Sequence, residues 1–174
     1  TLWQCESDEA FLAGLLEDLG VLVLIKELGE PYARMMDSVW CDNANLSLVE
    51  RESLGFDHRI LTTALMAHWG LPKLLIDAIS SPRSLENLKS LDAPHAQIAR
   101  ILHLAALIAD LVGWHRISVL PDLLECGEAY IHLTRPQLDE IINRIEPKVR
   151  DLADVFSFQL LDELNFNDIA LQAH

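Results

Sequence analysis

Between Pro94 and Val112 the chain carries its most apolar stretch, and that stretch has the period of a helix. Ile98, Ile101, Leu102, Ala105, Ile108, Ala109 and Val112 recur at spacings of three and four and make one stripe. Leu104, Leu107 and Leu111 widen the stripe until most of the circumference is apolar. A helix that is apolar nearly all round is stable only when other elements cover it, so this one predicts the centre of a helical bundle. Arg100 and Asp110 interrupt it, and it is expected to fall short of a membrane span.

The flanking sequence supplies helices to cover it. Ser7 is a helix cap, and Phe11, Leu12, Leu15, Leu16, Leu19, Leu22 and Val23 continue one amphipathic pattern as far as Gly29. Phe11, Leu15 and Leu19 are the expected packing positions. Pro31 opens a shorter helix through Met36, and Asp42-Asn43 reads as a turn. Leu46 to Leu54 stops at Gly55, Asp57 caps a helix over His58–His68, and Leu71-Pro72 starts another to about Ile79. Ser80-Ser81-Pro82 opens a polar loop through Asp92. After Gly113 come short segments near 119–124 and 128–133. Thr134 then caps a long helix to about Phe158, kinked or divided at Pro147. No stretch alternates as a strand would, so the fold class is all-α.

Composition narrows the function. The 174 residues include 27 acidic and 13 basic side chains, a formal net charge of -14. That field opposes nucleic acid and anionic membranes, and no basic cluster offsets it. Cys5, Cys41 and Cys126 are far apart, form no zinc-type spacing, and suit a reducing compartment. The expectation is a cytoplasmic protein without metal or other cofactor. No Gly-rich phosphate loop or Ser/His/Asp nucleophile pattern can be assembled.

Four patches then share one resemblance. They are Glu9 to Gly20, containing Gly14-Leu15-Leu16-Glu17-Asp18-Leu19-Gly20; Glu50 to His58; Leu65 to Pro72 with its Trp69-Gly70-Leu71-Pro72; and Ile101 to Ala105. In this order and spacing they resemble the HDOD domain, a bacterial signalling domain related to the HD phosphohydrolases. The resemblance covers about residues 2 to 113. It implies an HD-like helical bundle over 1–113, with 114–174 as a C-terminal helical extension packed on it. Such extensions sometimes precede a GGDEF domain, whose motif is absent from this chain. Family members begin with a longer helix than Leu2-Trp3-Gln4 allows, so a segment missing near residues 4–5 is expected, with Cys5 where a histidine would stand.

Active HD enzymes hold metal ions with an early histidine, an adjacent His-Asp pair and a later aspartate. By resemblance the pair falls on Glu17-Asp18 and the later aspartate on Ala106, while the early histidine is not visible. These are degenerate-site positions, and no catalytic or metal-binding residue is assigned. Asp18 is expected to bond nearby backbone, and Glu17 to be solvated or to cap a neighbouring helix. His58, Trp69 and His103 are the candidates for a pocket or interaction surface. Their structural alternatives are a loop-ordering hydrogen bond for His58, a packing anchor for Trp69 (as for Trp40), and a satisfied core histidine for His103. Glu50, Glu52 and Asp57 read as a solvated helix face.

The functional expectation is a non-catalytic regulatory module that contacts a protein partner or a neighbouring domain. Two alternatives stand beside it: a divergent metal-dependent HD phosphohydrolase or phosphodiesterase, and a small-ligand sensor using the remnant cavity.

Overall fold

The computed structural model describes residues 7–42, 44–113 and 116–155. Among them every regular element is a helix, as the apolar periodicity predicts. The described residues group into two compact units, one of 7–83 with 90–102 and the other of 84–89 with 103–155. The first holds α1 (Ser7–Leu16), α2 (Leu19–Leu28), α3 (Glu30–Cys41), α4 (Leu46–Leu54), α5 (His58–His68) and α6 (Lys73–Ser80). The second holds α7 (Leu85–Lys89), α9 (Leu120–Ile131) and α10 (Arg135–Val155), with a 3-10 turn at Ile117–Val119. Helix α8 (Ala96–Gly113) contributes its first turns to the first unit and the rest, from His103, to the second. Beside the expected boundary at Gly113, the described chain passes between the units at three places, Arg83/Ser84, Lys89/Ser90 and Leu102/His103.

Two cores stabilise the first unit. Ala13, Met66, Leu75, Ala78, Ile79, Ile98 and Leu102 make one, and Leu24, Tyr32 and Met36 make the other. Each large apolar side chain so buried contributes roughly 1.5–3 kcal/mol relative to exposure. The second unit is built on Leu104, Leu111, Val112, Leu120, Leu123, Cys126, Leu133, Leu138 and Ile142.

Several sequence expectations change. The single helix predicted from Ser7 to Gly29 breaks at Glu17-Asp18. Thr62 on α5 makes the break possible, because its hydroxyl accepts from the Gly20 amide at 2.9 Å and donates to the Glu17 carbonyl at 3.0 Å. One side chain thus satisfies an open group at each of the two helix ends. Because α1 turns inward through Ala13 and Leu16, Phe11 and Leu15 are exposed rather than packed.

Helix α3 runs on to Cys41, since nothing after Met36 breaks it and Val39 is buried. The supposed polar loop contains α7, for which Ser84 Oγ accepts from the Asn87 amide at 3.3 Å. The two short segments after Gly113 are one helix, α9. Helix α10 passes through Pro147 without division. Asn143 and Pro147 both face solvent, so water can replace the lost bond. The Asn43 turn, the stretch around Cys5 and the run to Phe158 lie outside the described residues.

In α8 the buried positions are Ala96, Ile98, Ala99 and Leu102, then His103, Leu104, Leu111 and Val112, while Ala105 and Ala109 of the predicted stripe are exposed. The shift follows from covering by a different set of helices after His103. Contrary to expectation, the 18 residues of α8 are long and apolar enough to cross a membrane by length and composition. Its buried side chains nonetheless belong to the core of each unit.

Candidate functional site

The N-terminus of α5 is where polar chemistry gathers. Asp57 caps it, with Oδ1 accepting from the Ile60 amide at 2.9 Å. Gly55, at φ 83°, ends α4 in a left-handed conformation, so α4 and α5 meet through a three-residue turn. That turn brings Glu50 to His58. Glu50 Oε2 accepts from the His58 amide at 2.9 Å and from His58 Nδ1 at 2.6 Å. Glu50 Oε1 accepts from the Tyr32 hydroxyl on α3. The carboxylate is fully buried, at 0% exposure, and three donors hold it. Burial by itself pushes its pKa up, but the hydrogen bonds from His58 and Tyr32 outweigh burial and leave it below the ordinary range. The same contact, with burial first among its causes, raises the Tyr32 phenol, which stays protonated.

Asp57 is likewise buried. Burial opposes its ionisation, yet the Ile60 amide and the Arg51 Nε donor at 2.7 Å lower its pKa overall. The reading of Glu50 and Asp57 as a solvated face is therefore overturned, because both carboxylates have enough donors to be held inside.

Glu17 and Asp18 occupy the elbow between α1 and α2. Glu17 is neither solvated nor a helix cap, for its carboxylate accepts from Arg83, just beyond α6. Burial raises the Glu17 pKa despite Arg83, and neighbouring Asp18 adds to the rise. A second guanidinium, Arg59, lies in the same field and donates to the Ser81 carbonyl at 2.6 Å and to the Ile79 carbonyl. Burial and the charge of Arg83 lower its pKa to about 10. Asp18 is exposed, stands at the N-cap position of α2 and makes no side-chain capping bond, since Thr62 already takes the Gly20 amide.

The remaining sequence candidates are dispersed. Trp69, 57% exposed, is the C-cap residue of α5 and not a packing anchor; Trp40 too is partly exposed, at 38%. His103 is buried in the second unit, with Nδ1 at 3.0 Å from the Tyr130 hydroxyl. Ala106 belongs to that same unit and offers only a methyl group.

The metal ions of HD enzymes do not fit these residues. The carboxylate at the histidine position of the His-Asp pair is bound through Oε2 by a guanidinium, a second guanidinium stands near it, and the position assigned to the later aspartate has no donor atom. Sequence reasoning missed Tyr32, Arg59, Thr62 and Arg83 because each acts across 18 or more residues of chain.

No curated protein and no solved structure matches the chain. The family model of the HDOD domain matches residues 2–84, ending where the chain leaves the first compact unit at Arg83. The chain thus carries an HDOD domain over residues 2–84.

Proposed function

We propose that this HDOD domain is a non-catalytic regulatory module that works by contacting a protein partner or a neighbouring domain in a bacterial cytoplasm. The observation that carries the reading is the Glu17–Arg83 ion pair. A carboxylate that serves a metal must face it with free lone pairs. Here the Glu17 carboxylate instead binds an internal cation, with Arg59 reinforcing the positive field. The fold around that position is retained: Gly20, Thr62, His58 and Glu50 still lock α2, α4 and α5 together. Selection for a scaffold without its chemistry is the simplest account of that combination. The scattered cysteines and the net charge of -14 fit a reducing interior and a partner other than nucleic acid or membrane.

The test is incubation of the protein with manganese and a panel of phosphomonoesters and cyclic dinucleotides. The expected result is no turnover above that of an Asp18→Ala variant. Metal-dependent hydrolysis that Asp18→Ala abolishes would replace this reading with the phosphohydrolase one.

A further inference from the structure

We propose that the outward face of α1 and α2 docks an amphipathic helix with basic flanks. The proposal rests on the reading of the domain as a contact module and names the kind of partner.

Large apolar side chains seldom stand in solvent in consecutive groups. On α1, Phe11 is 73% exposed and Leu15 66%, with Leu12 beside them. On α2, Leu22 is 63% exposed, with Ile25 and Leu28 further along. Within each helix the spacing is that of one face, Phe11 and Leu15 four apart on α1 and Leu22, Ile25 and Leu28 three apart on α2. Ala13 on α1 and Gly20 and Leu24 on α2 are buried in the unit. Ridges with that spacing take the ridges of another helix, which reads them through apolar anchors of its own at i, i+3, i+4 and i+7.

Charge selects among occupants. Residues 7–42 carry eight acidic and two basic side chains, a formal charge of -6. Asp8, Asp18, Glu27 and Glu30 are exposed along the same two helices and the start of α3. A second copy of the chain would bring an equal negative charge against this one, and an anionic lipid surface would be repelled in the same way. A helix with lysine and arginine beside its apolar stripe meets both features at once.

The experiment uses two fluorescent synthetic helices with one identical Leu/Phe stripe, flanked by Lys and Arg in the first and by Glu in the second. Anisotropy titration against the whole chain is expected to show saturable binding of the basic helix, weakened by salt, and at least about tenfold weaker binding of the acidic one. Phe11→Ser with Leu15→Ser, and separately Leu22→Ser, are each expected to weaken the basic helix about tenfold. Because these side chains are exposed, the thermal midpoint reports an intact fold, and the α2 variant stands if the α1 variant is damaged.

Absence of binding, equal binding of both helices, or indifference to both variants would overturn the proposal. Sedimentation showing a dimer that Phe11→Ser dissolves would also overturn it, in favour of a second copy. Such failures leave the non-catalytic reading in place, whereas metal-dependent turnover would remove that reading whatever the peptides do.

Discussion

Thr62 and Gly20 meet at 2.9 Å, the threonine hydroxyl accepting the glycine amide proton. The same hydroxyl donates to the Glu17 carbonyl at 3.0 Å, so a residue of α5 joins the end of α1 to the start of α2. Gly20 is required by the closeness of this join. A Cβ there would stand 2.0 Å from the His58 carbonyl oxygen, a backbone atom unable to yield.

Gly20→Ala is expected to lower stability by about 3 kcal/mol or more, because relief requires moving α2 off α5. Gly14→Ala is the matched control. Its added Cβ would lie 3.7 Å from Leu102 Cδ2, an ordinary contact. The helix should gain roughly 0.5–1 kcal/mol from the lost glycine. Urea unfolding of both variants reads the two signs, and a mild effect at Gly20 would refute the close approach.

Thr62→Val keeps the shape and removes the hydroxyl. It leaves the Gly20 amide and the Glu17 carbonyl without their partner, at a cost of about 1–3 kcal/mol. Thr62→Ser retains the hydroxyl and should recover a measurable part of that loss. Hydrogen exchange at Gly20 should accelerate in the valine variant alone.

Stability should fall in acid through Glu50 and Asp57. Both carboxylates are held below their ordinary values of 4.5 and 3.8, so the unfolded chain binds protons more readily than the native one. Their contribution is present above those ordinary values and is lost as pH falls through the lower native ones. Glu50→Gln should flatten the acid limb of the stability profile, and Tyr32→Phe, which removes one donor to that carboxylate, should shift it to higher pH. An acid limb unchanged in both variants would sink this assignment.

Local signals were the readable part of the chain. Asp57 before an apolar-periodic segment and Gly55 after one announced the α4–α5 turn, since caps and left-handed residues act within a few positions. The break at Glu17-Asp18 was hidden, because the apolar spacing from Leu16 to Leu19 to Leu22 continues across it and the cause is a threonine 45 residues away. Glu50 misled for the same reason. Beside Glu52 it resembles a wet face, and only Tyr32 and His58 reveal a buried carboxylate. The candidate site suffered most, for the guanidinium that occupies Glu17 is 66 positions distant.

The Glu17–Arg83 pair carries the opposite pH sign from Glu50. Burial raises the Glu17 pKa above its ordinary 4.5, so its contribution is greatest below that value and declines as pH rises through the native one. Arg83→Met removes the charge that opposes the rise. The variant should lose about 1–3 kcal/mol near pH 7 and much less near pH 4. In a Glu17→Gln background the same substitution should cost less at neutral pH, as measured by a double-mutant cycle.

His132 ends α9 with φ 52° and ψ 42°, the one non-glycine residue with positive φ among the described residues. Its amide still closes the helix by donating to the Glu128 carbonyl at 3.0 Å, so the left-handed geometry is in use. For a residue with a Cβ that geometry costs roughly 1–2 kcal/mol, and glycine avoids it. The exposed His132–Glu128 contact, at 3.4 Å, offsets little of this. After the entropy that glycine loses on folding, His132→Gly should still raise the stability of the second unit by about 0.5–1 kcal/mol. His132→Val should lower it, because a β-branched side chain is the least suited to this conformation. Paired thermal melts check the order: glycine above histidine above valine.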